Sequence, residues 1–149
     1  MNVHIDDLPG LVGKEFGPGE WLEVTQEQIN TFADATDDHQ WIHVDVERAK
    51  EGPFKAPIAH GMLTLSLFIP LHSALLDVDG VTTKVNYGFN KVRFPAPVPA
   101  GSRVRLTTRV VSVDEVAGNG VQITVDGTIE VEGGTKPVCV LQSVSRFYR

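Results

Sequence analysis

From Gly61 to Leu75 nearly every residue is apolar or small. Such a segment reads as a helix without a polar face, and a helix that is apolar all round is expected to be buried on all sides. Pro70 should kink this helix or end its regular part, because its ring removes a backbone donor and crowds the preceding turn. His72 lies beyond that point and reads as a partly exposed helix-end residue rather than a ligand. Whatever else the chain does, it must supply a concave layer that covers this helix.

The sequence after Asp79-Gly80 supplies that layer. Val81, Thr83, Val85, Tyr87 and Phe89 share one face of a strand, and the apolar phase then moves to Val92 and Phe94, which places a bulge near Asn90. Beyond a turn at Pro95–Gly101, Val104, Leu106 and Val110 alternate with Arg103, Arg105 and Arg109. Past Ala117-Gly118-Asn119-Gly120, Val121, Ile123, Val125, Ile129 and Val131 alternate with polar residues. Gly133-Gly134 reads as a two-residue hairpin, with Val138–Tyr148 as the last strand. The expected class is α+β, a long bent antiparallel sheet packed around one apolar helix. Its edges need covering or pairing with a second copy, so a homodimer is expected. Lys91, Arg93, Arg103 and Arg105 gather near one turn; they could meet phosphates, although a solvated strand face is the commoner meaning.

Ahead of the helix, residues 1–20 are turn-rich and read as irregular chain, and Trp21–Val24 suits a short strand. Thr25-Gln26-Glu27-Gln28 is a capping box. Ile29, Phe32 and Ala33 then share one face of a short helix ending near Ala35. Thr36–His43 is too polar and irregular to extend it, and Asp45–Lys50 adds a further turn.

With 149 residues, 42% of them hydrophobic and 21% charged, the chain suits a single domain (1–149) with a real core. A net charge of -6 argues against nucleic acid as a partner. The apolar run is too short and interrupted to span a bilayer, and MNVHIDDLPG lacks the basic and apolar regions of a secretory leader. The lone Cys139, in an apolar strand-like run, reads as a packing thiol in a reducing compartment. A cytoplasmic location is expected.

The residues that can do chemistry abut the helix. FADATDDHQWIH (Phe32–His43) gathers Asp34, Asp37, Asp38, His39 and His43, and PIAHGMLTLSLF (Pro57–Phe68) carries His60-Gly61 at the helix start. A carboxylate and an imidazole held close together, such as Asp38 and His43, can share proton transfer near neutral pH. A solvated acidic loop with an incidental histidine remains open on these residues alone. Glycine at a helix start lets a ligand oxygen approach backbone N–H groups that have no internal partner. Tight helix entry is the alternative meaning of Gly61. His39 and His43 at i and i+4, with Asp38 and Asp45 near, could hold a metal, but the glutamate of HExxH is missing from His-Gln-Trp-Ile-His. No metal is expected.

Taken together, Phe32-Ala33-x-x-Thr36-x-Asp38-x-x-x-Ile42-His43 and Pro57-Ile58-Ala59-His60-Gly61-Met62-Leu63 resemble the MaoC-like (hydratase 2) signature of (R)-specific enoyl-CoA hydratases. The short proteins of the nodulation protein N-like subgroup are the nearer look-alikes, and the resemblance extends through NYGFNKVRFPAPVPAG (Asn86–Gly101). It implies a hot-dog fold, with the sheet wrapped around the central helix. It implies Asp38 and His43 as the catalytic pair and the Gly61 N–H as oxyanion donor, with Gln40, Trp41, His60 and Met62 against the substrate. The implied reaction is reversible addition of water to a trans-2-enoyl thioester in fatty acid metabolism. Coenzyme A or an acyl carrier protein would be part of the substrate, and no other cofactor is needed. Two departures stand in the loop. Asp37 replaces the usual glycine, which should raise the proton affinity of Asp38. Gln40-Trp41 replaces Asn-Pro; Gln40 can still position the loop and Trp41 should narrow the pocket. A hot-dog thioesterase, and a binding module for acyl thioesters without catalysis, are the competing functions.

Overall fold

The computed structural model describes all residues, 1–149. The chain runs β1 (Asn2–His4), a 3₁₀ helix (Ile5–Leu11), β2 (Glu15–Phe16), β3 (Leu22–Glu23), α1 (Gln26–Thr36), α2 (Trp41–Val44), α3 (Val46–Glu51), α4 (Gly61–Ser66), α5 (Phe68–Leu75), β4 (Asp77–Asp79), β5 (Thr83–Arg93), β6 (Arg103–Val116), β7 (Gly120–Val131) and β8 (Pro137–Tyr148). The main sheet has the order β2-β6-β7-β8-β5 and is antiparallel, with β3 also on β6. This is the hot-dog arrangement of sheet and helix.

Alternation along the strands places one apolar row against the helix. Leu106 of β6, Ile129 of β7 and Leu141 of β8 join Leu63, Leu67, Phe68 and Leu71 in one buried cluster. Gly127 of β7 leaves room for both layers, because a Cβ there would lie 2.9 Å from Leu141 of the sheet and 3.3 Å from Phe68 of the helix. A second cluster covers the rest of the same strands. Ile5, Leu8 and Leu11 of the 3₁₀ helix pack on Val110, Val121, Ile123 and Val125. The N-terminal segment is therefore not irregular chain. β1 pairs in parallel with β4, and the 3₁₀ helix caps the sheet, using apolar spacing too short to signal a helix by period.

Four further expectations change. The central helix breaks at Leu67, three residues before Pro70, because proline has no N–H for the Ser66 carbonyl and its ring crowds it. Pro70 then sits harmlessly in the first turn of α5. The helix is not covered on every side: Met62 is 59% and Ile69 38% exposed. The bulge expected near Asn90 is present as the register shift at Phe89/Lys91, and β5 carries a second shift at Asn86/Gly88. Residues 132–136 form a longer connection than a two-residue hairpin. The four basic residues also separate. Arg103 and Arg105 of β6 pair with Glu132 and Glu130, whereas Lys91 and Arg93 lie on β5 at the opposite edge.

Candidate active site

Three pieces of backbone build the site, each fixed by local sequence. α1 starts at Thr25, whose Oγ1 accepts from the Gln28 N–H (3.1 Å), and ends where Asp37 takes a left-handed φ of 58°. That conformation favours glycine, and aspartate is among the few side chains that tolerate it. The turn carries Asp38 and His39 away from the helix axis. His39 lies between Asp34 (2.9 Å) and Asp37 (3.3 Å), and the Asp34 hydrogen bond leads in raising its pKa. Asp37, placed by sequence beside Asp38 as a second charge, thus faces His39.

The second piece is α2, a single turn where the sequence suggested irregular chain. It buries His43, and Gln26 of α1 donates to the His43 carbonyl (2.8 Å), tying the two helices together. The third piece is the extended run before α4. The Ile58 N–H donates to the Ile42 carbonyl (3.0 Å) and the Ala59 N–H to the Val98 carbonyl (2.8 Å). This run delivers His60 as the residue capping α4 and Gly61 as its first helical residue.

The hydrogen bonds assign both tautomers. His43 Nδ1 lies 2.6 Å from the Ile58 carbonyl oxygen, which only accepts, so Nδ1 carries the proton and Nε2 keeps its lone pair. Burial lowers the His43 pKa, the neighbouring His60 lowers it further, and the Ile58 bond and Asp38 oppose them. His43 is therefore a neutral base near pH 7. His60 Nε2 donates to the Asp38 backbone carbonyl at 2.9 Å, which leaves His60 Nδ1 buried without a partner. The two rings stack at 3.9 Å with 23° between planes, and Phe32 packs on His60 at 4.8 Å. A carboxylate oxygen of Asp38 and ring nitrogens of His43 and His60 all lie within 4.8 Å of one another. The stack sets the in-plane lone pairs of the two imidazoles in nearly parallel planes, so they do not converge on one ion.

Beside Gly61 opens a cavity of about 290 Å³, lined by Phe54, Ile58, Thr64, Phe94 and Val98 among others. A Cβ on Gly61 would sit 3.0 Å from Phe94 Cε2. Asp38, His43, His60 and Gly61 therefore come together as the sequence placed them. The other three do not. Trp41 packs over Gly52 and under the Arg48 guanidinium (4.2 Å), and it does not line the cavity it was expected to narrow. Gln40 is exposed and caps α2 without a side-chain hydrogen bond, and Met62 points out on the open side of α4. Gln26 and the Ile58 carbonyl escaped sequence reasoning because they act across 17 and 15 residues of chain through contacts with no periodic signature.

A model of the MaoC like domain matches residues 7–132. The chain belongs to the MaoC-like family. This MaoC-like domain is 52% identical over 143 residues to the 3-hydroxyacyl-thioester dehydratase Z of Mycobacterium tuberculosis (96% of this chain, 95% of the relative). It is 44% identical over 138 residues to Nodulation protein N of Rhizobium leguminosarum bv. viciae (91% and 85%). Among solved structures, the (R)-hydratase from A. caviae involved in PHA biosynthesis superposes with a TM-score of 0.71, at 25% identity, over 90% of this chain and 94% of that one.

Proposed function

We propose that this MaoC-like domain catalyses the reversible hydration of a trans-2-enoyl thioester to the (R)-3-hydroxyacyl thioester, within fatty acid metabolism. The observation that carries this reading is the His43 tautomer. A neutral imidazole keeps an unprotonated Nε2, and a nitrogen of that ring lies within 4.8 Å of an Asp38 carboxylate oxygen, at the head of the helix that offers the Gly61 N–H. In the hydration direction, Asp38 and His43 hold a water, and its oxygen bonds to C3 as its proton passes to the pair. Electron density moves through C2 to the thioester oxygen, where the Gly61 N–H receives the developing charge. The proton then returns to C2, and the C2=C3 double bond has become a single bond with hydroxyl at C3. Coenzyme A or a carrier-protein arm forms the thioester, and neither a metal nor a redox cofactor takes part. The names of the relatives support the same reaction class.

The working protein is proposed to be a homodimer. Met62 and Ile69 on the open side of the helix, with Val85 (40% exposed), Tyr87 (60%) and Phe89 (37%) on edge strand β5, leave an apolar face and an unpaired edge on the single chain. Light scattering at micromolar concentration should give twice 16.3 kDa, and a monomer would refute the pairing.

The reaction is tested by mixing the protein with enoyl-CoA of several chain lengths. Loss of the conjugated enoyl absorbance without release of free thiol is expected. Thiol release at the same rate would make the protein a thioesterase, and tight binding with no turnover would make it a binding module.

A further inference from the structure

His60 is 2% exposed and touches both members of the catalytic pair: the Asp38 backbone through Nε2–H, and the His43 ring through a stacked face. We propose that His60 is a positioning residue, which fixes the Asp38 loop and the His43 imidazole relative to each other, and that it is not a substrate contact. The inference rests on the hydration reading for what that geometry serves.

Three observations carry it. The only N–H that the His60 ring offers is already committed to the Asp38 carbonyl, so no donor remains for substrate. Its other nitrogen is shut off from solvent, so a substrate does not reach it in this structure either. Asp38 itself lies on a stretch between α1 and α2 that has neither helical nor strand pairing. The ties from His39 to Asp34 and Asp37 are solvent-exposed and weak, so His60 supplies the buried anchor of that stretch. The groups facing His43 are His60 from the head of α4, Asp38 from the loop after α1, and the Ile58 carbonyl. Removing His60 therefore alters both partners of the base at once.

Two substitutions separate the donor from the ring. His60→Phe keeps a stacking face and loses the N–H. His60→Gln keeps an N–H of similar reach and loses the ring. His60→Phe should lower kcat by about 10²-fold with little change in KM, the usual cost of misplacing a catalytic group by about 1 Å. His60→Gln should lose less kcat, and the His43 titration, followed by NMR and by the acid limb of kcat/KM, should move up toward 6.5. Near-wild-type kcat in both folded variants, with an unmoved His43 titration, overturns the proposal. If the variants do not fold, nitrogen NMR of the wild-type ring decides. A proton on His60 Nε2 that exchanges slowly supports the anchor, and a proton on Nδ1, or fast exchange, refutes it. A wild-type protein that hydrates no enoyl thioester would remove the reaction reading, yet leave the tautomer and the His43 titration to judge the anchor.

Discussion

An imidazole sits at each end of the central helix, and only the one at the head has the surroundings of a proton-transfer group. At the head, His43 has one nitrogen fixed by a backbone carbonyl and the other free beside a carboxylate. At the tail, half-buried His72 stacks on Phe68 at 5.0 Å, and its Nδ1 is buried with no partner. Burial alone pushes the His72 pKa down to about 4. Charged groups do share the His72 cavity, but Lys84 and Asp77 are bonded to each other at 2.5 Å. Burial neutralises both rings. What distinguishes the head is an assigned tautomer and an acidic neighbour, so a lowered pKa by itself does not mark a site.

The contrast breaks first at the head. Asp38→Asn and His43→Gln should each lower kcat by roughly 10²–10⁴, with the double variant little worse than either single one, because the pair acts as a unit. Near-normal turnover in both folded single variants would erase the distinction between the two ends. Gly61→Pro comes next. Proline is tolerated at the first helical position but has no N–H, so a loss of about 10²–10³ in kcat is expected, with the fold checked by near-UV circular dichroism. Turnover within a few-fold of wild type would pass the oxyanion role to another donor. Gly61→Ala keeps the N–H and only crowds Phe94, which is 43% exposed and can yield, so its effect should fall mainly on KM.

The tail predicts a smaller effect, on stability rather than rate. His72 is harder to protonate in the folded state than in the unfolded chain, so the unfolded state binds the proton first as pH falls. Its stabilising contribution is complete above 6.5 and is lost between 6.5 and about 4, by up to about 3 kcal/mol. His43 shifts in the same direction, with the same sign. Replacing His72 by leucine should therefore flatten the fall in Tm between pH 7 and pH 4, and an unchanged slope would remove His72 as its source.

What the sequence made legible follows from which interactions are periodic or local. Alternation disclosed β6 and β7, and the Thr25 cap disclosed α1 to within a residue. The uninterrupted apolar run disclosed a helix, but not its open side, since Met62 and Ile69 are as apolar as the buried Leu63 and Phe68. The grouping of Asp38, His43 and Gly61 was legible from residue type and motif, and the fold brings them together at the head of α4. Trp41 was misplaced because its packing on Gly52 and Arg48 depends on how α2 meets α3. The role of His60 needed coordinates outright: its partner is a backbone carbonyl 22 residues away, which no side-chain pattern records.

In the proposed reaction water adds to C3 rather than to the thioester carbonyl. Turnover of a trans-2-enoyl-CoA in isotopically labelled water, followed by mass spectrometry and chiral analysis of the product, tests this most directly. Label is expected in the C3 hydroxyl of an (R)-3-hydroxyacyl-CoA whose thioester is intact, with almost none from the Asp38→Asn variant. Label in a free carboxylate, with coenzyme A released, would contradict it.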